Sequence, residues 1–121
     1  MMAAKNCPQI SRVYLSTDDQ QLMKLAEEND LELIRRPAEL CTDKSGSADV
    51  YVHAYNLVKQ LNKGEEIGAV ALLMCNAATV TSEVISDGID ILAKNPDYDS
   101  AVTVSRYNMW SPLPARRIGA D

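Results

Sequence analysis

The sequence predicts an α/β fold, a mostly parallel sheet with helices on its faces, in a single domain of 121 residues. Three observations predict it. Strand-like and helix-like segments alternate along the chain. The run "IGAVALLM", Ile67 to Met74, is unbroken by polar residues, as suits a central parallel strand covered on both faces. Hydroxyl residues stand where the helices should begin. By layer logic such an order gives three layers joined by right-handed crossovers.

"RVYLS", Arg12 to Ser16, alternates as a short strand does. Thr17 with Gln20 three residues later has the form of a capping box, and Leu22, Leu25 and Ala26 follow at helical spacing. Asp18 and Asp19 fall in the first turn, where the helix dipole favours acids, and that helix should end near Asn29. "LELI", Leu31 to Ile34, is the second strand, and Pro37 keeps it from continuing inside a sheet. Ser47 is placed to cap a second helix with Val50, Ala54, Leu57, Val58 and Leu61 on one face, and Gly64 to release the backbone after it. After the central run, Thr81 opens a third helix through Val84, Ile85, Gly88, Ile89 and Leu92, ended by Asn95-Pro96. "SAVTVSRY", Ser100 to Tyr107, is the fourth strand, and residues 108–121, with Pro112 and Pro114, form an irregular tail and a candidate oligomerisation segment.

Composition narrows the function classes. Hydrophobic residues at 46% and charged residues at 24% are those of a globular chain, and the longest apolar run is far too short to cross a bilayer. "MMAAKNCPQI" lacks the form of an export signal, so the expected setting is cytoplasmic. Three widely spaced cysteines, Cys7, Cys41 and Cys75, fit neither a disulfide framework nor a zinc motif and are expected as free thiols. A net charge of -5, with dense basic pairs only at Arg35-Arg36 and Arg116-Arg117, opposes nucleic-acid binding.

In open parallel sheets ligands bind beyond the carboxyl ends of the strands. Here those ends are Ser16 to Asp19, Arg35-Arg36, Met74-Cys75-Asn76 and Ser105-Arg106. Arg36 offers a fork of donors for phosphate or a base carbonyl, and Ser45, Gly46 and Ser47 at a helix start offer backbone N–H groups to an anion. The same arginines, beside a proline, also suit surface ion pairs. Asp18 and Asp19 read as caps in preference to metal ligands. His53, the only histidine, has no nearby cysteine or serine in a catalytic pattern. Asn76 suits a base, a sugar or its own loop backbone, and Tyr107 and Trp110 suit either a subunit contact or closure of the core.

Taken together, the strand ending in "STDD", the amphipathic helix, the strand ending in "RRPAEL", the nearby "TD", the serine before a helix containing "HA", the apolar strand and "DSAVTVSRYN" resemble the cytidylyltransferases that activate acidic sugars. These are the CMP-sialic acid (acylneuraminate) synthetases and their CMP-Kdo relatives, and the resemblance covers the central portion, nearly all of residues 10 to 112. It implies a Rossmann-like nucleotidyltransferase fold truncated at both ends. It also implies CTP and an acidic sugar as substrates, magnesium as cofactor, and a homo-oligomer. By matching positions Arg36 and Ser47 are nucleotide contacts, Asp43 shapes the loop between them, and Asn76 lies in the segment that touches nucleotide and sugar.

Two departures bear on activity. The segment "MCNAATV", Met74 to Val80, lacks the glutamine, proline, threonine, serine and arginine usual in the sialic acid enzymes, which leaves the sugar unassigned. The family's opening strand with its basic triphosphate loop, and its carboxyl-terminal magnesium-binding acids, have no counterpart here. The expectation is a fragment or a naturally short relative, inactive unless those parts are supplied. The alternative is a noncatalytic oligomeric remnant or a nucleotide-binding module. A receiver-type signalling domain has no place for the "RRPAEL" loop.

Overall fold

The computed structural model describes residues 2–104. Tyr107, Trp110, Arg116-Arg117 and the tail from residue 108, like the end of the expected fourth strand, lie outside the described residues. Among those described, the order is α1 (Met2–Lys5), β1 (Tyr14–Thr17), α2 (Gln20–Glu28), β2 (Glu32–Arg35), a 3-10 turn (Ala38–Leu40), α3 (Ser47–Leu61) and α4 (Ser82–Lys94). The fold is α/β, with a parallel two-stranded sheet in which Tyr14 faces Glu32 and Thr17 faces Arg35.

The β1–α2–β2 unit is built by local chemistry at both ends of its helix. Asp19 is the N-cap, its carboxylate accepting from the Gln21 and Leu22 N–H groups at 2.8 and 2.9 Å. Thr17 does not cap the helix as expected. Its hydroxyl accepts from Asp19 N–H at 3.1 Å, because the acid two residues on reaches two orphan donors where the hydroxyl reaches one turn. At the far end Leu31 N–H bonds to the Ala26 carbonyl and Asp30 N–H to that of Glu27, the paired bonds of a Schellman motif. Asp30 takes the left-handed position, at φ 51°, that glycine usually fills. Ala26 and Leu31 are buried against one another's turn, and Ile34 is 2% exposed, so the motif delivers β2 alongside β1 with its apolar residues inward.

A second cluster joins the two ends of the described chain. Ala4, Cys7 and Ile85 are buried together, with Ala3, Ile10, Val13, Val80 and Ile89 packed around them. Gln9 fastens this contact, its amide donating to the Asp90 carboxylate at 2.7 Å while its carbonyl accepts from the Ser86 hydroxyl. α1 carries no periodic signal in the sequence, since four residues form less than two turns; α4 supplies the surface on which it packs. Thr81 caps α4 as expected, through Val84 N–H. Asn62 closes α3, and its amide nitrogen also donates to the Tyr14 hydroxyl at 2.8 Å, linking the end of α3 to β1. Gly64 follows with φ +92°, the left-handed conformation expected of it.

Both later strand expectations are corrected. Ile67–Met74 forms no strand, and neither does the described part of the fourth strand, residues 100–104. A helix satisfies its backbone within itself, whereas a strand needs a partner edge. β1 and β2 pair with each other, and no further strand joins them among the described residues. Val70, Leu72 and Met74 are consequently 61%, 56% and 51% exposed. α3, fifteen residues long, contains no buried residue. Ser47 is its first residue and not its cap; Gly46 takes the cap position without a side-chain bond. No helix among the described residues is long and apolar enough to cross a membrane.

Candidate functional site

The carboxyl ends of β1 and β2 lie side by side, and the chain leaves β2 through Arg36 and Pro37. Arg36 prolongs the ladder, its N–H donating to the Thr17 carbonyl at 3.1 Å. Its guanidinium turns back over the sheet end, Nη2 donating to the Ser16 carbonyl at 2.8 Å. Arg36 Nε and Ser16 Oγ are both buried and without a hydrogen-bond partner. Orphaned polar atoms of this kind cost stability unless something satisfies them. Arg36 is thus partly committed to holding β1, with part of its fork unspent. Arg35 is exposed.

Beyond Pro37 the 3-10 turn carries Cys41 back over the sheet end. Its thiol donates to the Pro37 carbonyl at 3.2 Å. Burial, and then the hydrogen bond and charge of Asp18, push the Cys41 thiol above its ordinary pKa, with Arg36 opposing the shift. The group is a protonated donor near neutral pH and a poor nucleophile. The loop is then shaped by two hydroxyls: Ser45 Oγ donates to the Glu39 carbonyl at 2.9 Å and lies 2.8 Å from Thr42 Oγ1. Asp43 is exposed at the tip of that turn. Sequence reasoning assigned the shaping to Asp43 and passed over Thr42; the signal was the hydroxyl pair three residues apart.

The loop enters α3 at Gly46 and Ser47. An added side chain at Gly46 would lie 3.1 Å from the Asp49 carboxylate, so an acid already stands at this helix start. Any anion there competes with Asp49 for the same N–H groups. The Tyr51 hydroxyl, one turn further on, meets Met74 Sδ at 3.3 Å. This contact brings the turn closed by Ala77 N–H on the Met74 carbonyl, with exposed Asn76 inside it, to the first half of α3. Arg36, Asp43 and Ser47 share one loop and Asn76 is brought toward its end, but no hydrogen bond joins these four side chains among the described residues.

Three other features bear on chemistry. His53 is half-buried on α3 with Nδ1 unpartnered, and it makes no bond to a nucleophile among the described residues. A cavity of about 250 Å³ lies at the opposite end of α3, lined by Tyr55, Lys59, Asn62, Gly64, Glu65 and Ile67, remote in sequence from the strand ends. No group of three or more histidine, cysteine or acidic residues among the described residues converges to hold a metal ion. Asp19 is spent on its cap, its carboxylate already accepting from two N–H groups. Cys7, Cys41 and Cys75 are all free thiols.

Comparison with family models and with curated proteins finds no match for this chain.

Proposed function

We propose that the wall from Arg36 to Ser47 binds CTP in a domain of the cytidylyltransferase type, serving the activation of an acidic, acylneuraminate-class sugar to its CMP derivative. The observation that supports this reading is the position of Arg36. It follows the second of two parallel strands at their shared carboxyl end, one nitrogen anchored and another unpartnered, within the "RRPAEL" stretch that carries the resemblance. In this reading β1–α2–β2 is part of a Rossmann-like layer.

Arg36 engages a phosphate or the cytosine carbonyl, Ser47 offers its hydroxyl and N–H, Asp43 sets the loop tip, and Asn76 closes over base or sugar. In the transfer itself a sugar hydroxyl attacks the α-phosphorus of CTP, the new P–O bond forms as the bond to pyrophosphate breaks, and the hydroxyl proton leaves with a base. Such chemistry rests on positioning and on neutralising charge. The described residues supply positioning groups but neither a triphosphate cradle nor a metal site. The reading is accordingly one of nucleotide binding, with transfer dependent on groups from another source.

Thermal unfolding with CTP, and with ATP and GTP as controls, tests it, because a ligand that binds the folded state alone stabilises it by about 2.7 kcal/mol at a hundred times its dissociation constant. A CTP-selective rise in Tm that disappears in Arg36→Ala is expected. Absence of a rise with any nucleotide, or a rise that survives Arg36→Ala, overturns the assignment. A second reading, a noncatalytic self-associating protein, is favoured by the exposure of residues 67–74.

A further inference from the structure

We propose that the segment Ile67–Met74 is a self-recognition strand, pairing antiparallel with the same segment of a second copy of this chain across a two-fold axis. The inference concerns a surface outside the nucleotide wall and stands without it.

Area argues first. The chain exposes 10205 Å², against roughly 6,500 Å² for a compact monomer of its mass. Granting the residues outside the described range the full area of an extended chain, about 160 Å² each, and comparing the remainder with roughly 5,700 Å² for a compact body of the described residues' mass, still leaves an excess of roughly 1,600 Å². A standard interface buries about 800 Å² per partner, and obligate homodimers bury more. The excess is therefore of the size that a stable dimer covers. It is also apolar where it is most concentrated, at Val70, Leu72, Leu73 and Met74, all exposed.

Backbone chemistry identifies the form of the contact. The segment has the composition of a buried strand and lacks a ladder partner within the described residues. An unpaired apolar strand is a template for another of its kind, and a two-fold axis lets each copy supply the edge that the other lacks.

Charge selects the direction. Glu65 and Glu66 precede the segment, and no charged residue follows it until Glu83. Parallel, in-register pairing would stack Glu66 on its own copy at a strand spacing of about 4.8 Å. Antiparallel pairing centred on Ala71 sets that residue against its own copy and Val70 against Leu72, and carries the two Glu66 residues roughly 34 Å apart, beyond the screening length.

Sedimentation of the full chain over a wide concentration range, without nucleotide, is the test, accompanied by oxidative cross-linking. A dimer is expected whose dissociation constant rises about tenfold or more in Leu72→Lys, where two like charges meet in a paired strand. Circular dichroism checks that this variant keeps its helices. Ala71→Cys with Cys75→Ser is expected to cross-link readily, and the native Cys75, exposed at the far end of the run, is not. A monomer at every concentration overturns the proposal. So does a dimer indifferent to Leu72→Lys that fails to cross-link through residue 71, and so does a ready Cys75 cross-link, which would mean parallel pairing.

Discussion

The segments "LELI" and "IGAVALLM" are both strand-like in sequence, and the longer and more apolar of them is the one left exposed. Leu31 and Ile34 are buried because α2, closed by its Schellman turn, returns the chain beside β1 within a few residues. The run from Ile67 lies between α3 and α4, and neither presents it with a strand edge. Hydrophobicity supplies the drive to be buried, whereas the turn that positions the partner decides whether burial occurs.

The largest expected effect would break or confirm this contrast directly. Ile34→Ala should destabilise the protein by about 2–5 kcal/mol, the range for truncating a buried isoleucine, as measured by urea unfolding. Leu72→Ala should cost less than about 0.5 kcal/mol in dilute solution, as for an exposed position. Equal losses at the two sites would mean that the segment is as well buried as β2. Next come the helix caps on the two sides of the comparison. Asp19→Ala removes two bonds near 2.9 Å and should cost about 1–2 kcal/mol. Thr81→Ala removes a single bond of 3.4 Å and should cost about 0.5 kcal/mol. A reversed order would place the firmer unit at α4.

The smallest effect is a pH dependence at the contact between α1 and α4. The hydrogen bond from Gln9, and then Lys94, hold the Asp90 carboxyl below its ordinary pKa. A carboxyl depressed in the folded state stabilises the fold above its unfolded value and loses that contribution as pH falls through the folded one. Asp90→Asn should therefore be slightly less stable than the parent near pH 7, and the gap should close as pH drops below about 4. A gap that stays constant in acid would remove Asp90 from the fastening of α1.

The helices were largely legible because their signals are local. Thr81, Asn95 and Gly64 act where the sequence places them, while the start of α2 was misplaced from Thr17 to Asp19 because two adjacent cap-formers compete and the acid reaches more donors. Strands were legible as candidates only, since an edge partner is a non-local fact that no spacing encodes. α1 was illegible because its four residues acquire meaning from Ile85, some eighty positions away. At the candidate site the loop after β2 was legible from Arg36 and Pro37. The clasp of Arg36 on the Ser16 carbonyl was not, and neither was the thiol of Cys41 beside Asp18; both depend on the register of β1 against β2.

Cys7, 1% exposed between α1 and α4, has a consequence for watching the molecule move. A thiol so enclosed reacts with an alkylating reagent only during moments when the amino-terminal turn swings away, whereas Cys75 is exposed and needs no such opening. The ratio of the two labelling rates reads the frequency of that excursion in the unaltered protein, so the chain carries its own clock and its own reference.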